Sequence, residues 1–188
     1  FTILRTAGLG PGRALRLLGR PVTERVAGID LMTHLLAAGD TRSLSVYFLG
    51  ARPEVVQRVV ERCRQHYPGL TIAGARDGYF TPADHDAIVD DIRECAPHVL
   101  FVGMPTPFKD GFCQRHRDRL QVPVIIGVGG SFDVLAGVIA RAPVAAQSMG
   151  LEWAWRLVME PRKLWKRYLT TNTEFVWLVM RELVRRRA

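Results

Sequence analysis

Apolar positions along the chain fall into two alternating patterns. Short apolar runs, each closed by glycine or a turn, lie at Ser45 to Leu49, Leu70 to Ala73, Val99 to Val102 and Val122 to Ile126. Their apolarity is continuous, which predicts strands covered on both faces, as in a parallel sheet. Helical spacing fills the gaps between them. Pro53 to His66 sets Val55, Val56, Val59, Val60 and Cys63 on one face, with Pro53 suited to the first turn. Pro82 to Cys95 follows Thr81, a predicted N-cap, and stacks Ile88, Ile92 and Cys95. Phe108 to Leu120 is a more polar third helix, and Gly12 to Leu18 and Arg25 to Ala38 predict two more upstream. Repeated strand–helix alternation predicts an α/β fold with a mostly parallel sheet. From Ala142-Pro143 onward the pattern predicts only helix, rich in Trp and Arg. The expected organisation is a core over 1–141 and a helical appendage over 142–188.

Composition adds a core and a partner. The 188 residues are 48% hydrophobic, enough for one compact domain with a small appendage. A net charge of +8 and a pI near 10.1 point to an anionic partner: nucleic acid, phospholipid or sugar nucleotide. From Glu152 to Ala188 nine basic residues face four acids, so this segment carries +5 of the total. Cys63, Cys95 and Cys113 form no CxxC pair, which predicts reduced thiols and no structural metal. No run reaches the roughly 20 apolar residues a spanning helix needs. Phe1-Thr2-Ile3-Leu4 reads as strand-like, so no leader is expected and the chain reads as a piece of something longer.

Ligands of parallel α/β sheets bind outside the carboxyl ends of the strands, so the glycine-bearing strand ends carry the candidate chemistry. Gly127-Val128-Gly129-Gly130-Ser131-Phe132-Asp133 lets backbone N–H groups approach a diphosphate, with a helix start behind it and Asp133 available to sugar hydroxyls. A tight turn that Asp133 merely caps is the other reading. Gly103-Met104-Pro105-Thr106-Pro107 is stiffened by two prolines and sets Lys109 and Asp110 near a helix start, where Lys109 also reads as a solvated surface lysine. Arg25 and Asp30 share one helical face or its entry loop. Arg25 could fork around a diphosphate or form a surface ion pair.

Aromatics interleave with Arg and Lys in Gly150 to Arg156 and Glu160 to Leu169. That pattern suits an anionic membrane surface, with a core-facing Trp stripe and single-stranded nucleic acid as the other readings. The apolar run Phe175 to Met180, followed by Arg185-Arg186-Arg187, favours the membrane. No GxSxG is present, and His34, His66, His85, His98 and His116 show no evident partnership. Asp84-His85-Asp86 is discounted as a metal site because three consecutive residues rarely converge on one ion.

Together these segments resemble the WecG/TagA/CpsF glycosyltransferase family over nearly the whole chain. The matching text is Arg16 to Pro21, Glu24 to Leu31, Phe48 to Gly50, Tyr67 to Leu70, Asp77 to Phe80, Gly127 to Gly137, Arg141 to Pro143 and Gly150 to Leu169. The resemblance implies a Rossmann-like core with a C-terminal helical appendage. It also implies a cofactor-free inverting transferase, working at the cytoplasmic face of the bacterial plasma membrane as a peripheral protein. The implied donor is a UDP-sugar of the N-acetylmannosamine type, and the implied acceptor is a sugar on undecaprenyl diphosphate. The products would feed teichoic acid, common antigen or exopolysaccharide. Nucleic acid is not an implied partner, and self-association as a homo-oligomer is left open.

On this reading the strand-end residues Gly103, Gly127, Gly129, Gly130 and Asp133 would hold the UDP-sugar, and the family's active-site arginine falls on Arg25. Arg156, Arg162, Lys163 and Arg167 would hold the lipid diphosphate. Two positions depart from the family. Its general-base Asp falls on Ala7, so the base is lost by engineering or by divergence, or another carboxylate such as Asp30 takes the role. Its Pro-Lys-Gln-Glu loop reads Pro107-Phe108-Lys109-Asp110, so Lys109 replaces a glutamine and could neutralise the leaving UDP. The family's N-terminal segment with its Thr-x-Asn motif is expected to be missing. With Ala7 at the base position, the alternative is a non-catalytic module that binds nucleotide-sugar or membrane.

Overall fold

A computed structural model describes residues 27–143, 145–146 and 151–162, with 165, 169, 173, 177, 178, 180, 181, 182 and 185. Ala7, Arg25, Lys163, Arg167 and the helix expected over Gly12 to Leu18 lie outside the described residues. The chain divides into two compact units, Gly28–Ala140, and Phe1–Ala27 with Arg141–Ala188.

The first unit runs α1 (Gly28–Arg42), β1 (Ser45–Gly50), α2 (Pro53–His66), β2 (Thr71–Arg76), a 3-10 turn (Pro82–Asp84) and α3 (His85–Cys95). It continues with β3 (Val99–Gly103), α4 (Phe108–Leu120), β4 (Val124–Gly127) and the short α5 (Ser131–Leu135). The four strands form one sheet in the order β2-β1-β3-β4. Every neighbouring pair is parallel. This is the α/β, Rossmann-like architecture expected from the sequence.

Strand alternation divides the core into two layers. Val46 and Phe48 of β1 and Val99 and Phe101 of β3 pack with Met32 and Leu36 of α1, with Val55, Val56, Val59 and Cys63 of α2, and with Phe132 of α5. Tyr47, Leu49, Leu100 and Val102 point the other way, onto Ile88, Val89 and Ile92 of α3 and Phe112 and Leu120 of α4. The chain therefore leaves β1 over one face by α2 and returns over the other by α3 and α4. The topological switch lies between β1 and β3.

Burial on both faces holds for those two central strands. The outer strands β2 and β4 are only partly buried, and each has one sheet neighbour among the described residues. α2 and α4 keep the bounds expected from spacing, while the segment from Pro82 splits into the 3-10 turn and α3. The Asp84 carboxylate accepts from both the Thr81 N–H and its hydroxyl, each at 2.8 Å, which fixes that entry. α1, α3 and α4 are followed by non-glycine residues with positive φ at Ser43 (51°), Ala96 (42°) and Gln121 (52°).

In the second unit, α6 (Glu152–Met159) is helical, the chain bends at Glu160, and the described residues from Pro161 on are helical too. Val158, Trp165, Leu169, Trp177 and Met180 are each at least half exposed. The Arg181 guanidinium lies 4.9 Å from the Trp177 ring centre, a cation–π contact.

Candidate nucleotide-sugar site

Glycine governs the carboxyl end of the sheet. At the switch point Gly50 (φ 126°) and Ala51 (φ 60°) turn the chain out of β1, and the Ala51 N–H donates to the Gly103 carbonyl at 3.2 Å. A Cβ on Gly50 would fall 2.6 Å from the Gly103 backbone, so no other residue fits there. The loop after β2 crosses this point. Its Gly78 N–H donates to the Ala51 carbonyl at 2.8 Å, and a Cβ on Gly78 would lie 3.0 Å from Gly50 and 3.3 Å from Met104. Asp77 accepts the Tyr79 N–H at 2.8 Å, leaving the Tyr79 ring 74% exposed.

Beside this crossing lies the turn after β4. The Val128 N–H donates to the Val102 carbonyl at 2.9 Å, which extends the ladder by one residue. Gly129 then turns with φ 53°, and nothing stands within 4 Å of where its Cβ would be. Buried Ser131 donates its hydroxyl back to the Val128 carbonyl at 2.8 Å. Gly28 brings the start of α1 against this hydroxyl, since a Cβ there would stand 3.2 Å from it. Asp30 lies in the first turn of α1, so it shares this end of the sheet with the glycine turn.

The helix start expected to help bind a diphosphate proves weak. α5 has only five residues, and the Ser131 N–H is spent on the Val128 carbonyl at 3.2 Å. The groups left open at this end are the Gly129 turn and the Lys109 ammonium.

Lys109 is not the solvated lysine that its sequence context also allowed. Its side chain is 21% exposed and lies over Gly127, where an added Cβ would meet its Cδ, Cε and Nζ at 2.6 to 2.9 Å. Asp110 approaches the ammonium at 3.4 Å and also accepts the Thr106 hydroxyl at 3.0 Å. Gly103 is equally specific to its neighbour, because a Cβ there would fall 2.6 Å from the Phe132 ring.

Gly103, Lys109, Gly127, Gly129, Gly130 and Asp133 thus occupy the strand-end loops and the helices that follow them. Asp133 is half-buried in α5, and its backbone carbonyl accepts from Val138 and Ile139 at 2.9 and 3.1 Å. The sequence reading did not single out Ala51, Gly78, Tyr79 or Ser131 as site residues. The glycine after β2 was the available signal for two of them. An open groove of about 710 Å³ also runs along the edge of β2, between Gln57 and Arg64 on one side and Tyr47 and Asp91 on the other, and touches the strand-end loops at Asp77. Among the described residues, no three His, Cys, Asp or Glu side chains converge as a metal would require.

A glycine-lined strand-end crevice with one semi-buried cation is a setting that many nucleotide-dependent folds share. Comparison across proteins narrows it. The model of the glycosyl transferase WecG/TagA/CpsF family matches residues 3–188. The chain belongs to this family. Among curated relatives, an N-acetylglucosaminyldiphosphoundecaprenol N-acetyl-beta-D-mannosaminyltransferase of Bacillus spizizenii is 36% identical over 163 residues, covering 87% of this chain. The protein of the same name from Bacillus subtilis is 33% identical over the same length. The chain spans 62% of the length of each of these relatives.

Proposed function

We propose that this chain is the core and appendage of an inverting glycosyltransferase that moves an N-acetylmannosamine-type sugar from UDP to a sugar on polyprenyl diphosphate. The observation that carries the reading is the Lys109 ammonium held over Gly127, beside the open Gly129 turn. A half-buried cation at that point meets the charge that grows on UDP as it leaves, where electrostatic help is worth most. Gly129 and Gly130 admit the diphosphate by lacking side chains, Gly103 leaves its own space to the Phe132 ring, and Asp133 takes ribose or sugar hydroxyls. In the displacement the acceptor hydroxyl oxygen bonds to the anomeric carbon, the bond to UDP breaks, and the hydroxyl proton leaves to a base.

Ala7 accepts no proton, so in this reading Asp30 takes that role. Arg25 with Arg156, Arg162, Lys163 and Arg167 holds the acceptor diphosphate. The exposed Trp165, Leu169 and Trp177, set among cations, rest on the cytoplasmic membrane surface. Among the described residues no helix is long and apolar enough to cross a membrane.

The test is incubation with UDP-N-acetylmannosamine and an undecaprenyl-diphosphate-linked N-acetylglucosamine, with binding and product followed separately. Product from the unaltered chain supports transfer with Asp30 as base. Failure to bind any UDP-sugar overturns the reading. Binding without product, with product appearing in Ala7→Asp, supports the second reading favoured by Ala7, a sugar-nucleotide-binding module on a transferase scaffold.

A further inference from the structure

The histidines that seemed isolated in the sequence meet across two helices. His85 opens α3 and His116 lies in α4, and His85 Nδ1 stands 3.1 Å from His116 Nε2. Aromatic rings enclose them. Phe80 packs edge-on against His85 and Phe112, at centroid distances of 5.6 and 5.8 Å. Phe112 in turn lies 5.2 Å from His85 and 5.0 Å from His116. This cluster ties together two parts of the candidate site. Phe80 follows Gly78 and Tyr79 in the loop that crosses Gly50, and Phe112 is on α4, the helix that carries Lys109.

The protons of the pair follow from one orphaned atom. His116 is 6% exposed, and its Nδ1 is buried without a hydrogen-bond partner. A bare lone pair left unpaired costs less than an unpaired N–H. The neutral His116 therefore carries its proton on Nε2 and donates it to His85 Nδ1. A second proton breaks this arrangement wherever it lands. On His116 it creates a buried N–H with nothing to accept it, and on His85 it sets N–H against N–H.

The surrounding charges on balance oppose a proton on His116. Arg115 and Arg119 face the pair from α4, Asp86 faces it from α3, and Asp84 faces His85 from the 3-10 turn. Asp86 is already bound to Arg119, which also reaches Asp90 at 3.7 Å. Burial foremost, then His85 and the two arginines, hold His116 below the usual histidine range.

We propose that His85 and His116 are positioning residues: a neutral imidazole clasp that locks the Asp77–Phe80 loop to α4, keeps the strand-end site assembled, and releases it in acid. This rests on reading that crevice as the nucleotide-sugar site. Both phosphates of a UDP-sugar are diesterified, so the ligand itself does not titrate in the range concerned.

Calorimetric titration with UDP-N-acetylmannosamine at pH about 8 and about 5.5 tests the clasp. The unaltered chain is expected to lose roughly tenfold in affinity at the lower pH, about one unit below the point at which a histidine released into solvent takes up its proton and so favours the open loop. In the double variant His85→Asn with His116→Gln, side-chain amides keep one hydrogen bond at the same atoms without titrating. It should bind as the unaltered chain does at pH 8 and stay flat with pH, which a merely structural role would not produce. A flat profile in the unaltered chain, or acid weakening that survives in the double variant, overturns the clasp. If the double variant fails to fold by circular dichroism, His116→Gln alone is read the same way. If the unaltered chain binds no UDP-sugar even at pH 8, the site reading fails instead. Amide exchange over Gly78–Thr81 then decides the clasp: local opening at pH 5.5 relative to pH 8 supports it, and equal protection overturns it.

Discussion

At the residue scale, two glycines at the same end of the sheet make opposite predictions. A Cβ on Gly50 meets the Gly103 backbone, which cannot move away, and Gly50 sits at φ 126°. Gly50→Ala is expected to cost about 2–4 kcal/mol in urea unfolding, through strain and forced separation of β1 from β3. A Cβ on Gly127 meets only the flexible end of Lys109. Gly127→Ala should therefore change stability by less than about 1 kcal/mol while pushing the ammonium aside. Its UDP-sugar affinity should fall nearly as far as that of Lys109→Gln, on the order of tenfold, the scale of one lost charge-assisted contact. Equal affinity for the unaltered chain and Lys109→Gln would remove Lys109 from the site. Where Asp30 does not serve as base, as in the second reading, Ala7→Asp should raise turnover by ~10²–10⁴.

At the element scale, helix ends and the core face of α4 govern the outcome. α3 stops at Ala96, which adopts φ 42° where glycine would carry no penalty for its Cβ. Ala96→Gly is expected to stabilise the fold by about 0.5–1 kcal/mol, visible as a higher denaturation midpoint with unchanged slope. Phe112 is 3% exposed and touches Phe80, His85 and His116. Phe112→Ala should cost about 3–5 kcal/mol and loosen the Asp77–Phe80 loop along with α4. The lowered range of His116 also gives stability a direction with pH. The unfolded chain takes up this proton near pH 6.5 and the folded chain only at lower pH, so stability is full above about 6.5 and falls as the pH drops through the folded value. His116→Gln should remove that part of the decline in a pH series of thermal unfolding.

At the scale of the whole molecule, the basic excess and the exposed apolar side chains of the second unit bear on where the protein works. Trp165, Leu169, Trp177 and Met180 are 50–60% exposed, and the residues from Glu152 onward carry nine cations against four acids. Removal of residues after Arg141 is expected to abolish sedimentation with anionic liposomes. Raised salt should weaken the binding of the intact chain without eliminating it, because indole burial is not screened. Undiminished liposome association of the shortened chain would assign the membrane contact elsewhere.

Periodicity alone made the alternation of strands and helices legible, and it set the bounds of α2 and α4, because a helix or strand advertises its buried face locally. Closely spaced glycines likewise marked the strand ends, and the order of short motifs marked the family. Sequence spacing could not say that Lys109 crosses to Gly127, that Gly78 crosses over Gly50, or that His85 meets His116, 31 residues away. Nor could it say that Ser131 would use the N–H expected to await a phosphate. Those contacts come from the parallel crossovers, which place one end of every strand side by side and press α3 against α4. The sequence by itself determined the elements and the kinds of group available. The tertiary structure decided which cation is half-buried over a glycine, which N–H is already spent and which histidines share a proton, because each depends on neighbours distant in the chain.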